Sequence, residues 1–100
     1  MAKTLFRPAA EAELKEAYSW YEEREAGLGT EFLRCVENGI QLIQRHPEIY
    51  PVVHKGIRQA VIRRFPYSVF YLTSNETIVV LAIFHASRNP VVWKQRARFQ

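Results

Sequence analysis

Residues 77–90 read TIVVLAIFHASRNP, and this stretch decides the fold. Its first eight residues are almost all apolar and show no alternation of apolar and polar side chains. Such a run is typical of a strand that is covered on both faces. The run stops at His85, and three more polar residues follow it: Ser87, Arg88 and Asn89. The stretch therefore predicts a buried strand whose exit carries polar side chains.

Upstream of this strand, the apolar residues repeat first at helical spacing and then at strand spacing. AKTLF at residues 2–6 predicts a short strand, and Pro8 suits the first turn of a helix that ends near Gly27. A second helix is predicted up to Pro47, and two helices joined so closely should form an antiparallel hairpin. The glutamates of the first helix near its end, at 22, 23 and 25, are assigned to a solvated face.

Three strands are predicted in the second half, at residues 58–65, 67–73 and 77–84, with a turn at 74–76 and antiparallel pairing. The tail from Pro90 is predicted to form one or two helical turns. The order of strand, helix, helix, three strands and tail predicts an α+β fold. In this fold the helical hairpin packs on one face of a curled, mainly antiparallel sheet.

Length and composition predict a single globular domain over residues 1–100. The chain is 48% hydrophobic, which is too apolar for a disordered protein. The one cysteine, Cys35, cannot form an internal disulfide, and this favours a reducing compartment. No segment approaches the roughly twenty apolar residues that a membrane-spanning helix needs. We therefore expect a cytoplasmic protein without a membrane partner.

Charge is unevenly divided between the two halves of the chain. Residues 1–50 carry six Lys or Arg and nine Glu, a net charge of −3, whereas residues 51–100 carry eight Lys or Arg and one Glu, a net charge of +7. Such asymmetry attracts an acidic partner, either nucleic acid or an acidic protein segment. The alternative is a solvated surface that only aids solubility.

Candidate functional side chains cluster around the exit of the last strand. His85 leaves the strand and Arg88 follows closely, while Arg58 and one of Arg63 and Arg64 are expected to point towards the same region from a neighbouring strand. Clustered arginines bind phosphate or carboxylate, and a histidine among them could transfer a proton near neutral pH. These residues predict an anion-binding site with the groups that a nuclease requires.

A structural interpretation of the same residues remains open. His85 and Ser87 would then cap the end of the strand, and Asn89 would prepare the turn at Pro90. A zinc site is not expected, because the three histidines lack metal-ligand spacing and the chain has no second cysteine and no aspartate. No phosphate-binding loop is present either. We therefore expect neither a metal nor a cofactor.

Four strings along nearly the whole chain resemble the toxins of type II toxin–antitoxin modules in the RelE/ParE superfamily, often called plasmid stabilisation proteins. They are RPAAEAELKEAYSWYEE (7–23), GLGTEFLRCVENGIQLIQRHPEIYP (27–51), IRQAVIRRFPYSVFY (57–71) and VLAIFHASRNP (80–90). The resemblance implies the RelE/ParE-like fold and inhibition of growth. It implies one of two activities, because RelE-like members cut ribosome-bound messenger RNA and ParE-like members poison DNA gyrase.

Two differences bring the chain closer to the ParE-like branch. RelE-like members commonly have a tyrosine or histidine near the C-terminus, whereas this chain has Trp93, whose indole does not donate a proton near neutral pH. The lysine-rich middle strand of the RelE-like branch is also missing. In addition, HASRN at 85–89 resembles the His-x-Ser-x-Asn ending of ParE-like chains. The leading prediction is a gyrase inhibitor without chemistry of its own.

The alternative that the resemblance implies is a ribosome-dependent mRNA endoribonuclease. Its catalytic residues would be those that hold phosphate and transfer protons: Arg58, Arg64, Arg88 and His85. A third possibility is a relative that keeps the fold and a binding partner but has lost toxicity.

Both branches of the family imply capture by a cognate antitoxin in a hetero-oligomer. Such an antitoxin carries an acidic, amphipathic C-terminal segment that folds on a basic surface of the toxin. We expect the partner-binding residues to share one concave face: Arg58, Arg64, His85, Arg88, Trp93 and Arg96.

Overall fold

A computed structural model describes residues 2–99 of the chain, with side chains up to Ala97. The elements are β1 (Lys3–Phe6), α1 (Pro8–Arg24), α2 (Leu28–Arg45), β2 (Val52–His54), β3 (Ile57–Val61), β4 (Tyr67–Ser74), β5 (Thr77–His85) and α3 (Val91–Gln95), followed by a 3-10 turn at Arg96–Phe99. The predicted order is confirmed, with β2 as an additional strand. The predicted strand at 58–65 is too long, because β3 ends at Val61.

The five strands form one sheet in the order β1-β5-β4-β3-β2. β1 runs parallel to β5, and all the other neighbouring pairs are antiparallel, as predicted for most of the sheet. The predicted curl is wrong, because the sheet is open and uncurled with β1 and β2 as its two edges. Each face of this sheet packs against helical residues.

One face is covered by the hairpin of α1 and α2, and the other by α3. Phe32, Val36 and Ile43 of α2 belong to the same apolar cluster as Val80 and Ile83 of β5. On the opposite face, the ring of Trp93 stacks on the ring of Phe70 with centroids 4.0 Å apart, in a cluster that also contains Leu81 and Phe84 of β5. β5 contributes to both clusters, which explains why its sequence is apolar without alternation.

Glu23 and Glu25 are exposed, as predicted, whereas Glu22 is half-buried and closes the turn between α1 and α2. Its carboxylate accepts hydrogen bonds from the backbone N–H groups of Gly27 and Gly29, each at 2.9 Å. Gly27 has a φ of 91°, a conformation that favours glycine. A Cβ at Gly29 would lie 2.6 Å from the carbonyl oxygen of Tyr18, so only glycine lets α2 start this close to α1.

Candidate functional site

The exit of β5 opens into a groove against α1, which we call the β5-exit groove. Its cavity has a volume of about 370 Å³. Three elements supply most of the residues that line it: Glu13, Glu16 and Trp20 from α1, Tyr67 from β4, and His85, Ser87 and Arg88 from the end of β5 and beyond. The half-buried ring of His85 stands edge-on to Tyr67, with ring centroids 5.1 Å apart. Polar side chains thus meet at the strand exit, as predicted.

Within this groove, the imidazole of His85 is held by Ser87. The backbone N–H of Ser87 donates to Nδ1 of His85 at 2.9 Å, and the hydroxyl of Ser87 lies 2.8 Å from the same atom. Since a backbone N–H can only donate, Nδ1 is an acceptor and the proton of the neutral ring lies on Nε2. Asn89 accepts a hydrogen bond from the backbone N–H of Val91 at 3.0 Å, where α3 begins. These contacts agree with the structural interpretation of the HASRN sequence.

The hydroxyl of Tyr67 stays protonated in this setting. Burial, and secondarily the neighbouring Tyr21, raise the pKa of Tyr67 above its ordinary value of 10.0. Arg88 acts in the opposite direction but with a smaller effect. A tyrosine of this kind does not serve as a base near neutral pH.

Both arginines near His85 are bound by one carboxylate, that of Glu13. Arg88 donates to one carboxylate oxygen at 2.9 Å, and Arg96 donates to both oxygens at 3.0 and 2.9 Å. Side-chain exposure is 11% for Glu13 and 22% for Arg96, so this ion pair is shielded from water. One carboxylate thus offsets half of the positive charge of these two arginines from within the fold.

The same ion pair also caps an open edge of the sheet. β1 pairs with β5 only as far as Val80, so among residues 2–99 no strand lies beside the backbone of β5 beyond Val80 on this side. Glu13 accepts a hydrogen bond from the N–H of Ile83 at 3.1 Å, and Arg96 donates to the carbonyl oxygen of Leu81 at 2.8 Å. The two side chains thus satisfy backbone groups that a longer β1 would pair.

The remaining predicted arginines lie elsewhere, and the single concave surface is not formed. Arg58 donates to the carbonyl oxygens of Tyr50 at 2.6 Å and Glu48 at 3.1 Å, in the segment before β2. Arg64 pairs with Glu31 of α2 at 3.7 Å. Because β3 ends at Val61, Arg63 and Arg64 do not alternate as strand residues, and both line a second groove beside α2.

Trp93, predicted to contact a partner, is buried with 5% exposure against Phe70. A partner reaches this ring only if α3 moves.

Sequence reasoning missed Glu13, the residue that organises the β5-exit groove. A signal for it exists in the sequence, because Glu13 stands between Ala10 and Ala17 in the row of α1 that faces the sheet, and both alanines are buried. A carboxylate in such a row requires a buried partner. Within residues 2–99, the structure has no group of three or more side chains suited to hold a metal ion and no helix long and apolar enough to cross a membrane.

The sequence and the fold of this chain were compared with those of known proteins. Residues 5–90 match the sequence profile of a family described as the ParE toxin of type II toxin-antitoxin system, parDE. A search of curated proteins finds no significant match. One chain of a solved structure described as the chromosomal ParDE TA system from P. aeruginosa is 18% identical with a TM-score of 0.64, over 87% of this chain and 98% of that chain. At this identity the likeness shows the fold.

Proposed function

Since the chain belongs to the family of ParE toxins of type II toxin–antitoxin systems, we propose that it binds and inhibits DNA gyrase and is neutralised by a cognate acidic antitoxin. The family match over residues 5–90 is the observation that carries this proposal. Inhibition of this kind needs a binding surface and no chemistry from the chain itself.

The geometry of the β5-exit groove supports binding rather than RNA cleavage. A phosphate that approached Arg88 and Arg96 would meet the carboxylate of Glu13, to which both guanidinium groups are already bound. Like charges this close repel one another, so the groove is poorly suited to bind a phosphodiester. The protonated hydroxyl of Tyr67 supplies no base, and the comparisons give no support to a ribosomal target.

We place the contact with gyrase on this groove, around Trp20. Half of its surface is exposed, and the guanidinium carbon of Arg24 lies 3.4 Å from the centre of its ring. Tryptophan and arginine are the residue types that most often dominate protein–protein binding energy. An exposed tryptophan beside a groove with polar walls thus forms a suitable anchor for a protein partner.

A supercoiling assay with purified gyrase tests the proposal. We expect the wild-type protein to inhibit supercoiling and Trp20→Ala to weaken the inhibition by about tenfold or more, the effect of losing an interface anchor. Ile49→Ala is the matched control, because Ile49 is an exposed apolar residue outside the groove and its loss should leave inhibition unchanged. Wild-type protein that leaves supercoiling untouched at concentrations that arrest growth would disprove the gyrase proposal.

A further inference from the structure

A second groove, between α2 and the end of β3, exposes arginines that the fold does not use. We call it the α2–β3 groove; its cavity has a volume of about 360 Å³. The side chains of Arg34 in α2 and Arg63 after β3 are both exposed, and neither side chain makes a hydrogen bond or ion pair with the rest of the described chain. Arg64 lies beside them on Glu31. Two cations therefore remain available to an external carboxylate.

The floor of the α2–β3 groove is aliphatic. Val61 and Leu42 both line it, with 69% and 40% of their surfaces exposed. Cys35 of α2 also lines the groove. Apolar side chains that a fold leaves in water, rimmed by charge, are typical of a surface that binds another protein.

An open strand edge borders the same groove. The N–H of Gln59 donates to the carbonyl oxygen of Pro51 at 3.1 Å, so it points away from β4. Alternate residues of a strand direct their backbone groups to the same side, so those of Val61 also point outward. β2 pairs with β3 only at Ile57 and Arg58, and no strand of the described chain lies beside Val61 on that side.

We infer that the α2–β3 groove binds the acidic, amphipathic segment of the antitoxin, an inference that rests on the proposed function. Apolar side chains of the segment cover Val61 and Leu42, and its carboxylates pair with Arg34 and Arg63. A nucleic acid suits the groove less well, because the carboxylate of Glu31 lines it and would repel a phosphate.

The two grooves have no lining residue in common, so antitoxin binding and gyrase inhibition can be tested separately. The probe is the full-length product of the reading frame beside this gene, purified and titrated against the complete chain. We expect the double variant Arg34→Glu and Arg63→Glu to raise the Kd about 100-fold and to remove most of the salt dependence. Gyrase inhibition by this variant should equal that of the wild type.

Arg45→Glu is the matched control. Arg45 is an exposed arginine of α2 that lies outside the α2–β3 groove, and its reversal changes the net charge without touching that groove. We expect its Kd to stay within about threefold of the wild type, the range of a screened surface charge. Val61→Asp is a second test, because an acidic residue at the exposed floor should also weaken binding by tenfold or more.

Circular dichroism and urea midpoints establish that the variants fold, as expected for exposed and unpaired side chains. Wild-type affinity in the double variant, or a loss equal to that of Arg45→Glu, would overturn the inference while leaving the gyrase proposal intact. If the double variant lost gyrase inhibition but kept its affinity for the antitoxin, the α2–β3 groove would belong to a different partner and the inference would also be overturned. A wild-type chain that neither binds the probe nor inhibits gyrase would instead remove the proposed function.

Discussion

At the scale of single residues, Glu13 joins three parts of the molecule through one carboxylate. It accepts hydrogen bonds from Arg88, from Arg96 and from the backbone of Ile83. These partners belong to the segment after β5, the C-terminal turn and β5 itself. Loss of this one carboxylate should therefore loosen the β5-exit groove and the tail together.

Glu13→Gln should lower the free energy of unfolding by about 2 kcal/mol, because it leaves the largely buried Arg96 and the half-exposed Arg88 without their carboxylate. Urea denaturation measures the change. Glu16→Gln is the control, since Glu16 lies on the same helix and lines the same groove but is exposed. Equal loss of stability in the two variants would show that Glu13 has no special role.

Tyr71 gives the fold a pH dependence in the alkaline range. Its hydroxyl donates to the carbonyl oxygen of Pro47 at 2.8 Å, and burial raises the pKa of Tyr71 from 10.0 to about 12. Because the folded state keeps a proton that the unfolded state loses, this stabilisation is complete below pH 10.0 and is lost as the pH rises to about 12.

Tyr71→Phe should therefore make the fall of unfolding free energy between those pH values shallower, by up to about 1.4 kcal/mol per pH unit. The slope should not vanish, since burial also raises the pKa of Tyr21 and Tyr67. Urea denaturation at several alkaline pH values measures the slope, and an identical slope in both proteins would refute the assignment to Tyr71.

At the scale of elements, the hairpin depends on the close start of α2 against α1. Gly29→Ala should lower the free energy of unfolding by about 1–3 kcal/mol, because the added Cβ would meet backbone, the carbonyl oxygen of Tyr18. Gly39→Ala is the comparison, since its Cβ would meet no backbone and only one side-chain atom, the Cδ1 of Ile62 at 3.2 Å. The gain in helix propensity offsets that contact, so Gly39→Ala should be nearly neutral. A neutral Gly29→Ala would contradict the packing described for the turn.

Periodicity predicts the long elements well because each buries a stripe or a face of its own. The strands at 67–73 and 77–84 are confirmed within one residue, and the helices are confirmed although α1 ends at Arg24, three residues before the predicted Gly27. β2 is not predicted from the sequence, because its three residues are too few to show the alternation of apolar and polar side chains that marks a strand. The composition of VIRRF predicts a longer strand, but β3 ends at Val61 and the chain then turns back to β4 through Arg64, which has a φ of 73°. Nothing in the local sequence reveals this conformation.

At the scale of the whole molecule, the arginines of the cationic half whose side chains the structure describes do not share one face. They lie in three places: at the segment before β2, in the α2–β3 groove, and on Glu13. Glutamates of the first half, Glu13 and Glu31, neutralise several of them across the fold. Net charge thus predicts an acidic partner, but only the tertiary pairing shows that Arg34, from the acidic half, and Arg63 are the free cations in the α2–β3 groove.

For the whole molecule, the proposed function is inhibition by binding rather than by cleavage, through the grooves beside α1 and α2. Induction of the chain in growing cells tests this most directly, with a DNA-damage reporter and the rate of protein synthesis recorded in the same culture. We expect the damage response to rise while translation continues and messenger RNA stays intact. The gyrase proposal would be contradicted if translation stopped first, with messenger RNA cut in the ribosomal A site and plasmid supercoiling unchanged.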